Sequence, residues 1–130
     1  MLDPSFSFHQ KSWTDEVAWK EILKDRTEDI VFCSSEGGLF EYGNDEDIHW
    51  VLKILAECPS LSIAITGSCL LDRETIDPTI IAMAETSGGA LRFLGKKGLE
   101  AILKPTPWSA AWFSKSANPV YLLFRLQKSI

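Results

Sequence analysis

Long apolar runs are missing from this chain. The longest, Ile80-Ile81-Ala82-Met83-Ala84 and Val120-Tyr121-Leu122-Leu123-Phe124, hold five residues each, whereas a membrane-spanning helix needs about 20. No G-x-G-x-x-G occurs among the eight glycines, so the tight turn that lets backbone amides approach a dinucleotide or S-adenosylmethionine is lacking. Histidine is scarce, with only His9 and His49. The three cysteines, Cys33, Cys58 and Cys69, are an odd count without C-x-x-C spacing. Zinc sites usually present local ligand pairs, so no metal and no other cofactor is expected. The first residues carry neither a basic n-region nor an apolar h-region, and no secretory signal is expected. Thiols lying in or beside apolar stretches fit the same picture, a reducing cytoplasm.

What is present reads as one globular domain. The 130 residues are 45% apolar and 24% charged, with a net charge of −5, and a chain of this size serves a single core. The charge is uneven. Residues 1–60 hold thirteen acids and five bases, a balance of −8; residues 61–130 hold five acids and eight bases, a balance of +3. From Glu36 to Asp47 there are five acids (Glu36, Glu41, Asp45, Glu46 and Asp47) and no base. Such a patch repels nucleic acid and anionic lipid and steers basic proteins. In the second half Arg92, Lys96, Lys97, Lys104, Lys115 and Arg125 accompany Trp108 and Trp112, too thinly spread for a phosphate footprint.

The elements follow from caps, periodicity and turn residues. Residues 5–9 alternate and predict a short strand. Ser12 with Asp15 three positions on reads as a capping box, opening a helix that turns Val17, Trp19, Ile22 and Leu23 inward. Ile30-Val31-Phe32-Cys33 and Leu39-Phe40-Glu41-Tyr42 are β-rich, and the glycines of Ser34-Ser35-Glu36-Gly37-Gly38 predict a hairpin between them. Asn44 caps the clearest helix, whose stripe is Ile48, Val51, Leu52 and Leu55 and whose stop is Pro59. A strand from Leu61 to Thr66 follows. Asp77-Pro78 starts a helix that Gly88-Gly89 ends. Residues 90–94 predict a strand, Lys97 to Leu103 a short helix, and Trp108 to Lys115 with Val120 to Gln127 a closing hairpin. Pairing Lys115 with Val120 sets Ala111 opposite Phe124 and Trp112 opposite Leu123.

The fold class read from this order is α+β: one domain, residues 1–130, with a mixed, largely antiparallel sheet of about five to seven strands and helices mainly on one face. A three-layer α/β sandwich is the alternative, with a parallel crossover between Leu61 and Leu94. The β-α-β-α-β-β order of the second half is faintly similar to the tail of a class I methyltransferase, though without its glycine-rich turn.

No catalytic constellation is recognisable. Thr66-Gly67-Ser68-Cys69, with Asp72 and Glu74 nearby, could offer a nucleophile, but neither histidine sits in a setting suited to a base. His49 is read as a helix-surface residue. Five tryptophans and the acidic block point instead to recognition, because Trp and Tyr join a large apolar body to a polar handle. Trp108 and Trp112, four apart on a strand, are expected to share a face opposite Tyr121 and Arg125. The leading expectation is a small acidic cytoplasmic protein-binding domain, an immunity or inhibitor protein that occludes a basic effector. Its contact residues would be Glu36, Glu41, Asp45, Glu46, Trp108, Trp112, Tyr121 and Arg125. No nucleic acid or membrane partner is expected. The alternative is a small enzyme or ligand-binding domain with a site between Thr66 and Glu74 and from Gly95 to Gly98.

Overall fold

The central helix forms where capping and an apolar stripe coincide. In the computed structural model, which describes residues 6–27, 30–60 and 62–129, helix α3 (Asp45–Ala56) starts with a capping box. The Asn44 side chain accepts from Asp47 N–H, and the Asp47 carboxylate accepts from Asn44 N–H. Three acids occupy its first turn, where the helix dipole favours negative charge. Ile48, Val51, Leu52 and Leu55 are buried on one stripe, as their spacing requires.

Around it run α1 (Glu16–Leu23), β1 (Ile30–Ser35), α2 (Leu39–Tyr42), β2 (Ser62–Leu70), α4 (Pro78–Thr86), α5 (Gly95–Leu103), β3 (Trp108–Lys115) and β4 (Tyr121–Lys128). The strands form one sheet in the order β1-β2-β4-β3. β1 and β2 are parallel, joined across α2 and α3, and the other two pairings are antiparallel. The chain is therefore an α+β domain with a four-stranded mixed sheet. Ile63, Ile65, Leu122, Phe124 and Leu126 meet the α3 stripe in one buried cluster with Phe40, Leu99 and Trp108. Helical periodicity and strand alternation predict nine core residues, Ile48, Val51, Leu52, Leu55, Ile63, Ile65, Leu122, Phe124 and Leu126, and all nine are in it. Trp108 donates from Nε1 to the Leu52 carbonyl at 2.8 Å, so the indole finds the partner that burial demands.

Several expected elements differ. Leu39–Tyr42 is helical, because Glu41 and Tyr42 N–H both bond back to the Gly38 carbonyl, and the turn sets Phe40 edge-on to Phe124 at 4.9 Å. The expected hairpin with β1 therefore does not form; β1 pairs with β2 instead. Residues 90–94 join no ladder. Arg92 N–H bonds to the Glu41 carbonyl at 2.9 Å, holding this segment beside α2. Phe6 to Gln10 is not in a strand, while Ser5 lies outside the described residues. The sheet thus has four strands among the described residues, not five to seven, and the parallel crossover lies before β2 rather than after it. The first helix is capped by Asp15, which accepts from Ala18 N–H, and not by Ser12. Starting at Glu16 turns Trp19, Ile22 and Leu23 toward the core and leaves Val17 exposed.

The β3–β4 register is also displaced. Phe113 rather than Ala111 lies opposite Phe124, Trp112 lies opposite Arg125, and Lys115 lies opposite Leu122. The connection is wider than a tight hairpin: Ser116 Oγ bonds to the Asn118 carbonyl and accepts from Tyr121 N–H. An irregularity between Ala110 and Trp112 then breaks the alternation, as an inserted residue does in a bulge. Trp108 and Trp112 consequently point to opposite faces. The first is 2% exposed and the second 52%.

Candidate functional site

Strand ends create the site. β1 stops at Ser35, opposite Gly67, while β2 continues to Leu70. The step left at the end of β1 is flanked by Glu36, Gly37 and the short helix α2. A cleft of about 640 Å³ opens there, lined by Glu36, Gly37 and Glu41 on one side, Thr66, Gly67 and Ser68 on β2, and Trp112, Tyr121, Leu123, Phe124 and Arg125 on β3 and β4. It lies at the carboxyl end of a parallel strand pair, where α/β sheets commonly hold ligands.

Sheet register brings these residues together. Thr66 pairs with Ser34 and with Arg125, and Arg125 pairs with Trp112, so one row crosses all four strands. In the neighbouring row Ser68 faces Leu123, which faces Ser114. Gly67 is required by space. A Cβ there would stand 2.7 Å from the Phe124 ring and 2.9 Å from the Ser35 carbonyl oxygen. Its bare backbone lets β1, β2 and the Phe124 ring meet under the cleft.

Glu41 is the unusual member. It is 6% exposed, and its Oε1 atom has no hydrogen-bond partner among the described residues. Burial raises its carboxyl pKa above the ordinary value, since a dry environment penalises the charged form. The neighbouring Cys69 is fully buried, and its thiol is pushed up to about 12 by burial and then by the Glu41 charge, with the Gly95 backbone N–H opposing. A thiol so perturbed is not a nucleophile near neutrality. Burial also raises the Cys33 thiol.

The eight residues expected at the contact surface divide. Glu36, Glu41, Trp112, Tyr121 and Arg125 line the cleft. Glu41 does so as a buried floor, not as part of an exposed acidic face, because the α2 turn carries it inward. Asp45 and Glu46 lie elsewhere, beside Arg92. Arg92 donates to the Gly43 carbonyl at 2.8 Å and to Asp45 Oδ1, so part of the acidic block is already neutralised. Trp108 belongs to the core and touches no surface, for the reason given by the bulge.

The alternative site divides as well. Thr66, Gly67 and Ser68 join the first cleft. Asp72, Glu74, Lys96 and Lys97 line a second depression of about 490 Å³. Gly95 sits between them with φ +61°, its backbone against Asp72, a conformation only glycine adopts freely. His49, expected on the surface, is half-buried and donates from Nε2 to the Ile102 carbonyl at 2.8 Å. Leu123 and Phe124 were not anticipated at the site. The strict alternation of β4 identifies Leu123 as outward-facing, but only the pairing with β2 brings it beside Ser68.

Among the described residues no helix is long and apolar enough to cross a membrane. No protein-family profile matches the sequence, and no curated protein does. Solved structures do share the fold. One, a possible exported protein from Bordetella parapertussis, superposes with a TM-score of 0.58 at 15% identity, over 87% of this chain and 42% of its own. Another, magnesium protoporphyrin IX methyltransferase from Synechocystis PCC 6803 with bound SAH, gives a TM-score of 0.52 at 14% identity, over 78% of this chain and 46% of its own. This chain spans less than half the length of either, and at these identities the likeness is one of fold.

Proposed function

We propose that the chain is a protein-binding domain that occludes a basic partner, in the manner of an immunity or inhibitor protein, in the cytoplasm. The observation that carries this reading is the sheet face opposite α3. Trp112, Tyr121 and Leu123 are exposed there, beside a cleft whose other wall holds Glu36 and whose floor holds the buried Glu41. Exposed aromatics next to acidic groups form a recognition surface for a basic protein, the aromatics supplying buried area and the acids supplying steering. Glu46, exposed on the first turn of α3, adds to the steering field. Three thiols of odd count favour a reducing compartment.

The test is site-specific photo-crosslinking in the native host, with the reactive residue at Trp112, at Leu123, or at Met83 on α4 as control. One basic protein captured from the first two positions and absent from the third is the expected result. Equal labelling from all three, or none, would remove the reading.

A second reading is a ligand-binding domain. It is supported by the cleft's place at the ends of two parallel strands and by a fold neighbour that is a methyltransferase with bound SAH. Thermal denaturation with added SAH tests it: a raised midpoint supports this reading, and an unchanged one counts against it.

A further inference from the structure

The buried carboxyl of Glu41 is costly as it stands. A carboxylate more than nine-tenths buried, with one oxygen lacking any hydrogen-bond partner among the described residues, forfeits hydration without compensation. A buried polar group left in this condition calls for an explanation, a bound ion among them. The surroundings define which one. Glu36 and Glu41 outnumber Arg125 in the lining and disfavour an anion. A neutral hydroxyl would leave the charge uncompensated. Oε1 itself is enclosed, so the charge is presented by the part of the Glu41 side chain that lines the cleft, where a cationic nitrogen compensates it in a charge-assisted hydrogen bond. The remaining walls are apolar and aromatic: Trp112, Tyr121, Leu123 and Phe124. Aromatic faces hold alkyl stems and attract cations.

We infer that the cleft is a binding site for a cationic nitrogen on an apolar stem, an alkylammonium or alkylguanidinium group, with Glu41 receiving the charge and Trp112 and Tyr121 flanking the stem. The inference deepens the reading of a basic partner, since the group would be a lysine or arginine side chain entering the cleft. A free small amine offers the same chemistry. Thr66 and Ser68 supply hydroxyls alongside. Arg125 is exposed on the sheet face at the mouth, and its like charge weakens binding. The titratable groups facing Glu41 are therefore Glu36, Tyr121 and Arg125 across the cleft and Cys69 in the core. Burial raises the Glu41 carboxyl above its ordinary value, so affinity rises with pH as Glu41 ionises.

The experiment is an NMR titration of the intact chain, following the Trp112 indole N–H, with n-butylammonium, n-butylguanidinium, n-butanol and butyrate. A neutral pentapeptide containing one lysine, compared with its lysine-to-alanine version, distinguishes a protein side chain from a free amine. Only the cations should shift the indole, and Glu41→Gln should weaken them by about tenfold or more. Arg125→Gln should tighten them about two- to threefold. Trp112→Ala, at a half-exposed position on the open face, leaves the buried cluster intact, and the Tyr121 backbone amide resonance reports binding in it; cation affinity should fall there too. Equal response to butanol and butylammonium, a response to butyrate alone, or unchanged affinity in Glu41→Gln would overturn the inference. Binding of the small cations without any crosslinked partner would sustain this site and sink the protein-binding reading. A partner whose capture survives alongside silent cations would do the reverse.

Discussion

The two faces of the sheet are made from the same four strands yet obey different rules. Toward α3, the residues Ile63, Ile65, Cys69, Leu122, Phe124 and Leu126 are buried. On the other face Phe32, Thr66, Trp112, Leu123, Arg125 and Gln127 are exposed. β4 alternates without exception between the two from Tyr121 to Gln127, the pattern of a strand wet on one side. β1 does not follow that pattern in sequence. Ile30-Val31-Phe32-Cys33 is apolar throughout, as in a strand covered on both sides, although Phe32 is 70% exposed. The difference teaches that β4 has one covered face, whereas Phe32 of β1 and Trp112 of β3 carry apolar surface that the core does not use. Exposed apolar surface of this kind is what the proposed recognition face would use to bury area against a partner.

The comparison is broken most directly by paired truncations on β4. Phe124→Ala removes a ring that Phe40 meets edge-on and should cost about 3–5 kcal/mol in urea unfolding. Leu123→Ala, one residue away on the open face, should stay within about 0.5 kcal/mol. Similar losses at the two positions would mean that the outer face is covered in solution.

Gly67→Ala probes the contact between strands and core. The added methyl must displace the Phe124 ring or the Ser35 carbonyl, and a loss of about 1–3 kcal/mol is expected. Measuring the same variant in a Phe124→Leu background should recover part of that loss.

Glu41→Gln sharpens the contrast between fold and site. A carboxyl whose folded-state pKa lies above its unfolded value keeps its proton longer when folded. Stability therefore falls as pH rises through the ordinary value of 4.5 and levels off above the raised one. The glutamine variant lacks this loss. It should match the natural protein near pH 4 and exceed it at pH 7 by about 1 kcal/mol. A constant difference across that range would show that the carboxyl is not desolvated. The smallest effect is expected at the periphery of the acidic block. Asp45→Asn removes an exposed ion pair with Arg92, and should cost less than about 1 kcal/mol.

How much of this was readable varies from element to element. The helix from Asp45 to Ala56 was plain, because Asn44, three acids and the Ile48–Leu55 stripe all indicate one outcome. The start at Asp77-Pro78 was equally plain, since Asp77 accepts from Thr79 N–H and Pro78 opens the helix. Leu39–Tyr42 was not. Four residues with no repeat are compatible with either period, and what selected the helix was Phe40 finding Phe124 across more than eighty residues of chain. The site shared this limit. Its aromatic and acidic residues were recognised by type, but the row from Ser34 through Thr66 and Arg125 to Trp112 exists only because three separate pairings align.

By itself, then, the sequence determined what short-range chemistry can determine: the capped helices, the alternation of β4, the nine core positions and the α+β class. These depend on contacts within a few residues and on which side chains avoid water. Tertiary structure alone decided the strand order, the bulge that sends Trp108 inward and Trp112 outward, and the burial of Glu41. Each of those turns on a pairing or packing partner distant in sequence. One residue of register inverts a side chain's face, and no local pattern in Trp108–Lys115 records where that residue is inserted.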